Sequence, residues 1–157
     1  MEARINPFGT RIGPKFVKPI VAAARVVAEA GIPAATLELV NIRASQINGC
    51  AGCLDMHTKD AMRAGETPLR INLVAGWREA TVYTEAEKAA LELAELGSRL
   101  ADGGGVPDDA WANASKHYDD DQLMALVCQI ALINAFNRMN VMTRQPGGDY
   151  VPGHLPV

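Results

Sequence analysis

Apolar residues along this 157-residue chain recur every three or four positions over most of its length, the spacing that gives a helix one apolar face. From Pro14 to about Ala30 the set Phe16, Val17, Ile20, Val21, Ala24, Val27 and Ala28 follows that rule, with Gly31 and Ile32-Pro33 as stop and connector. Leu37, Val40, Ala44 and Ile47 predict a second helix from Ala34 to about Ile47, closed by the turn pair Asn48-Gly49. A third is predicted from Cys50 or Ala51 to Ala64, and Thr67-Pro68 opens a short one holding Leu69, Ile71, Leu73, Val74 and Trp77. Thr84-Glu85-Ala86-Glu87 has the pattern of a capping box ahead of Ala90, Leu91, Leu93, Ala94 and Leu96. Gly103-Gly104-Gly105 interrupts the chain, Pro107-Asp108-Asp109 suits another first turn, and a last long helix is predicted from about Asp120 to Val141.

This pattern predicts one all-α domain of six or seven helices over residues 14–145, between an irregular arm (1–13) and a C-terminal tail (146–157). Composition agrees: 25 alanines, few aromatics and almost no β-branched runs of strand length. The net charge of −3 leaves no broad basic face for nucleic acid. Apolar runs such as Val21–Ala24 and Ile130–Ile133 fall far short of the roughly 20 residues of a membrane span. The first residues lack the apolar stretch of a secretory signal, so a soluble, cytoplasmic chain is expected. Alanine-rich helices with few large aromatics leave apolar faces that one small domain covers poorly, so a homo-oligomer is expected.

Chemistry concentrates in the stretch from Glu38 to His57. If a helix starts beside Cys50, then Cys50 and Cys53 stand one turn apart on one face, within reach of a disulfide. His57 follows Cys53 by four residues and extends the same stripe. Amide N–H groups at a helix start stabilise an anion at Cys50, and an imidazole beside Cys53 can take its proton. The Asn48-Gly49 turn folds the preceding helix back, which brings Glu38 opposite His57, where a carboxylate would orient the ring. The bland readings are an incidental C-x-x-C or a structural zinc site on Cys50, Cys53 and His57 with Glu38 or Cys128. No second ligand pair supports the zinc reading, and no metal is expected. Cys128 sits in an apolar run and reads as a small core residue. His117 and His154 read as surface or loop residues, Trp77 and Trp111 as packing anchors. Asn134, Asn137 and Arg138 are polar among apolar neighbours and are expected to satisfy buried backbone or interface groups. The triglycine lacks a following Lys-Ser/Thr and is no phosphate loop.

The pattern Glu-x11-Cys-x2-Cys-x3-His, from Glu38 through Cys50 and Cys53 to His57, resembles the AhpD-like alkylhydroperoxidases of the carboxymuconolactone decarboxylase superfamily. So do Ser45-Gln46-Ile47-Asn48-Gly49-Cys50 and Ile133-Asn134-Ala135-Phe136-Asn137-Arg138, and the resemblance covers roughly residues 15–145. It implies an AhpD-like helical bundle, assembled as trimers or hexamers, that reduces hydroperoxides through a Cys50–Cys53 disulfide cycle with no cofactor. By that analogy Cys53 attacks the peroxide, Cys50 resolves the sulfenic acid, and His57 with Glu38 forms a proton relay. A dithiol reductant, lipoyl-bearing or thioredoxin-like, then restores the pair. The helix start alone favours Cys50 as the first nucleophile, whereas the positioned base favours Cys53. One departure stands out: some members carry a histidine immediately before the second cysteine, and here that residue is Gly52. The competing functions are a carboxymuconolactone-decarboxylase-type lyase, which needs no cysteine pair, and a non-enzymatic redox-sensing oligomer.

Overall fold

Asn48-Gly49 makes the reversal on which the rest of the fold is hung. Gly49 adopts φ 66°, a left-handed conformation that an L side chain resists, and its N–H and that of Cys50 return to the carbonyls of Gln46 and Ser45. Helix α2 (Ala34–Asn48) therefore ends abruptly, and α3 (Ala51–Arg63) runs back along it. The computed structural model describes residues 2–153, so His154 and the end of the tail lie outside the described residues. Around this hairpin stand α1 (Gly13–Ala28), α4 (Pro68–Leu73), α5 (Glu85–Ser98), α6 (Leu100–Gly103), α7 (Asp108–Ala114) and α8 (Asp120–Thr143). Short 3-10 turns at Pro7–Gly9 and Val74–Gly76 complete the set, and no strand occurs among the described residues. The eighth helix, one more than the sequence pattern predicts, is the single turn of α6 just before the glycines.

Local chemistry explains the boundaries. Thr84 and Glu87 form the expected capping box of α5, and Asp119 with Gln122 forms a second at the head of α8. Thr67 caps α4 through its hydroxyl, with Pro68 at the first helical position. The arm is not wholly irregular, since Asn6 caps the 3-10 turn that follows it.

Helix α2 is the centre of the bundle. Periodicity assigned it one apolar face, but it packs against α3, α5 and α8 and buries Leu39, Val40, Ile42 and Ala44 together with polar Thr36, Asn41 and Ser45. Burial on several sides removes amphipathicity, and the polar residues are tolerated because they are bonded: Asn41 Oδ1 accepts from Gln129 Nε2 at 2.6 Å, and Ser45 Oγ from Asn137 Nδ2 at 3.0 Å. The largest apolar cluster gathers Val27, Ile32, Val40, Leu93, Leu126 and Ile130, and a second gathers Leu39, Ile42, Val74, Trp77 and Leu91. Burying each large aliphatic side chain contributes about 1.5–3 kcal/mol. Trp77 is an anchor as expected. Trp111 is not: it is 42% exposed on the short α7, whose buried face is carried by Ala110 and Ala114. Phe16, assigned to the buried face of α1, is likewise exposed, because Val17 and Val27 carry that contact. Cys128 is half-buried against the larger cluster, and His117 lies exposed in the turn after α7.

Candidate functional site

Cys50 occupies the N-cap of α3, where a Ser, Thr or Asp oxygen would usually receive a free amide. Its sulfur takes that role, accepting the Cys53 backbone N–H at 3.3 Å. The same sulfur is joined to Cys53 in a disulfide with Cα atoms 5.3 Å apart. Both cysteines are buried and pack with Ala44 and Ile133. Cys53 Sγ in turn accepts a hydrogen bond from Asn140 Nδ2 on α8, at 3.4 Å. Each sulfur therefore has its own N–H donor.

One turn further along α3, His57 Nδ1 meets Glu38 Oε2 at 2.8 Å. The turn at Gly49 brings the two residues together across the α2–α3 hairpin, as their spacing suggested. An ionised carboxylate only accepts, so Nδ1 carries the hydrogen and the Nε2 lone pair is left available as a base. His57 and Cys53 line one cavity of about 380 Å³ whose other walls are largely apolar: Phe8, Val21, Met56, Leu132 and Phe136, with Asn140, Gln129 and Tyr150 among its polar groups. Cys50 faces elsewhere. It lines a second cavity of about 380 Å³ with Gly49, Ala51, Val141 and Arg144, and Asn140, Gln145 and Pro146 border both spaces. Among the described residues no group of three or more His, Cys, Asp or Glu side chains is placed to hold a metal ion.

The turn that presents the cysteines is braced from below. Asn48 Nδ2 donates to Asn134 Oδ1 and Asn137 Oδ1, both at 2.9 Å, while Asn134 Nδ2 reaches Ser98 Oγ and Asn137 Nδ2 reaches Ser45 Oγ, both at 3.0 Å. Asn134 and Asn137 thus satisfy buried groups as expected, and Arg138 donates back to Asn134 within α8. Asn140 continues their three-residue spacing, a regularity in the sequence that could have pointed to it.

A further part of the site, invisible to periodicity, is the chain after α8. Arg144 caps that helix at φ 56°, and the following residues double back across the start of α3. Asp55 Oδ2 accepts from the amides of Gly148 at 2.6 Å and Tyr150 at 3.0 Å. Lys59, paired with Asp55 at 2.6 Å, donates to the carbonyls of Gly148 and Tyr150. Tyr150 donates its hydroxyl to Asp60, and Arg63 reaches the Pro152 carbonyl. Burial alone would raise the Asp55 carboxyl, but the hydrogen bonds from Lys59 and the two tail amides hold it below its usual value. Burial, with Asp60 beside it, pushes the Tyr150 hydroxyl upward. The strap explains the Gly52 departure: a Cβ there would stand 3.2 Å from the Pro146 carbonyl oxygen, so the strap occupies space a larger side chain would claim.

The sequence model of the carboxymuconolactone decarboxylase family matches residues 14–96. Over 141 residues, covering 90% of this chain and 94% of the relative, the chain is 41% identical to the uncharacterized protein YdfG of Bacillus subtilis (strain 168). It is similar to a crystal structure of a protein of unknown function from Agrobacterium tumefaciens that carries the antioxidant-defence name AhpD. There the TM-score is 0.85 and the identity 34%, over 95% of this chain and 100% of that one. The debrominase Bmp8 shares the fold at a TM-score of 0.76 and 18% identity, over 87% of this chain and 73% of that one. Among the described residues no helix is long and apolar enough to cross a membrane.

Proposed function

This chain belongs to the carboxymuconolactone decarboxylase family, and on that premise we propose that it is an AhpD-like, thiol-dependent hydroperoxide reductase. The observation that carries the reading is that the Cys53 sulfur and the Glu38-bound imidazole of His57 open onto one apolar cavity. In the reduced protein His57 takes the Cys53 proton, and the thiolate attacks the outer oxygen of a hydroperoxide. The O–O bond breaks, Cys53 becomes a sulfenic acid, and the alkoxide leaves as an alcohol with the proton returned by His57. Cys50 then attacks the sulfenic sulfur and releases water, giving the Cys50–Cys53 disulfide before further oxidation occurs. A dithiol, lipoyl-bearing or thioredoxin-like, returns two electrons and two protons. No cofactor enters this cycle.

Consumption of an organic hydroperoxide with a dithiol as reductant tests the reading. Wild-type protein turns over, Cys53→Ser does not, and dimedone labels Cys53 in the Cys50→Ser variant. Stoichiometric oxidation without turnover would instead assign a redox sensor. Turnover that survives loss of both cysteines would point to the lyase branch of the family. Labelling only in the variant that retains Cys50 would reverse the order of the two sulfurs.

A further inference from the structure

We propose that the Asn140 amide makes Cys53 the leaving sulfur in thiol–disulfide exchange, so that the incoming reductant attacks Cys50 through the second cavity. The inference rests on reading the pair as a redox-cycling disulfide and deepens it by specifying which sulfur the reductant meets.

Two independent observations converge. The first is the hydrogen bond from Asn140 Nδ2 to Cys53 Sγ at 3.4 Å. A donor aimed at a buried sulfur gains strength as that sulfur takes on charge, so it favours departure of a thiolate at Cys53. Exchange is faster when the leaving thiol is stabilised as it departs. Cys50 has a donor of its own in the Cys53 amide, but attack from the Cys50 side leaves the charge on Cys53, where Asn140 meets it. The second is the division of the disulfide between two cavities: Cys53 alone of the pair lines the apolar one with His57, and Cys50 alone lines the one with Arg144. The hydroperoxide and the reductant then use opposite sides of the same bond.

The step balances as follows. A thiolate of the dithiol bonds to Cys50 Sγ, the Sγ–Sγ bond breaks, and its electron pair goes to Cys53 Sγ, where Asn140 donates to it. The second thiol of the same reductant loses its proton and attacks the reductant sulfur of the mixed disulfide. Cys50 leaves as a thiolate and the reductant closes into its own disulfide. The two protons given up by the dithiol end on Cys50 and Cys53.

Oxidised protein is mixed with glutathione in the absence of any peroxide, quenched with acid within the first exchange event, and the adduct is mapped by mass spectrometry. Glutathione is expected on Cys50. Asn140→Asp, which keeps the side-chain shape but loses the donor, is expected to slow adduct formation about tenfold and to spread it over both cysteines. Asn140→Leu should behave alike, and in a Cys50→Ser background both substitutions should move the pH profile of Cys53 alkylation to higher pH. A role confined to packing moves neither the adduct site nor that profile. An adduct on Cys53 or equally on both in wild-type protein, or an unchanged rate and site in Asn140→Asp, overturns the proposal. No peroxide is used, so an adduct on Cys50 in a protein that fails to turn over hydroperoxide sinks the peroxidase reading and leaves this one standing.

Discussion

Replacing Glu38 by Gln removes a charge from behind His57 while leaving the size of the side chain unchanged. The carboxylate holds Nδ1 at 2.8 Å, which fixes the tautomer and, in the proposed cycle, stabilises the imidazolium formed when His57 takes the Cys53 proton. A hydrogen bond to a charged group is worth about 1.5–3 kcal/mol. Both side chains touch solvent, 12% for His57 and 25% for Glu38, so water makes up part of the loss and the lower half of that range applies. If that energy acts only once charge has developed, about 1.5–2.2 kcal/mol corresponds to about a 10- to 40-fold slower peroxide step. The assay is single-turnover oxidation of the reduced protein by tert-butyl hydroperoxide, read as free thiols remaining after quenching. Stability should fall by less than about 1 kcal/mol, since the pair is partly exposed, and the urea midpoint checks this. A rate within twofold of wild type in a protein of unchanged stability would refute the assignment of Glu38 to the relay.

Asn137→Ala strips partners from Asn48 and Ser45 in a buried setting and is expected to cost about 2–3 kcal/mol, seen as a lower urea midpoint and a Tm drop of about 5–10 °C. Burial would raise the Glu95 carboxyl, but hydrogen bonds from Arg43, Trp77 and Arg78 hold it at about 2 against an ordinary 4.5. Because the folded value is the lower one, its contribution is complete above about pH 4.5 and is lost as pH falls toward about 2. Urea midpoints across that window should decline, and Glu95→Gln should flatten the decline. Gly147→Val places a Cβ 2.5 Å from the Ala51 carbonyl oxygen, so the strap must lift. Hydrogen exchange at the Gly148 and Tyr150 amides should then accelerate by an order of magnitude or more, with little change in Tm because the strap lies outside the core.

What the sequence makes legible is local. Glu38, Cys50, Cys53 and His57 sit on two helices joined by one left-handed glycine, so helical spacing and a turn pair are enough to bring them together. The head of α5 was readable for the same reason, since Thr84 and its partner Glu87 are three residues apart, whereas the Asp119–Gln122 cap of α8 emerged from the structure. What was not legible depends on distance along the chain. Asn140 meets Cys53 across 87 residues, and Asp55 meets Gly148 across 93. Nothing in a glycine- and proline-rich tail says which way it turns after Arg144. Trp111 misled because size argues for burial, whereas a helix of two turns had only its alanine face to offer the core. The all-round burial of α2 was hidden the other way: the single face of Leu37, Val40, Ala44 and Ile47 gives no sign that Asn41 and Ser45 are buried too, satisfied by Gln129 and Asn137.

On the proposed peroxidase reading, the two donors divide the roles of the sulfurs rather than compete for one. Cys50 receives the Cys53 amide at the start of α3, a donor built into the backbone. Cys53 receives a side-chain amide from a different helix and lies in the cavity that also holds His57. Both sulfurs therefore have support for negative charge, but only Cys53 shares its cavity with a base that can remove a proton. Helix-start stabilisation suits a sulfur that must be a thiolate when the sulfenic acid appears and again when the mixed disulfide collapses. In the proposed cycle that is the resolving role, which the proposal assigns to Cys50. Base-assisted activation suits the sulfur that must first be created as a nucleophile beside the apolar cavity, a role the proposal assigns to Cys53. The two placements are complementary, and exchanging Cys50 for any residue whose side chain cannot accept from the Cys53 amide should loosen the first turn of α3 as well as end resolution.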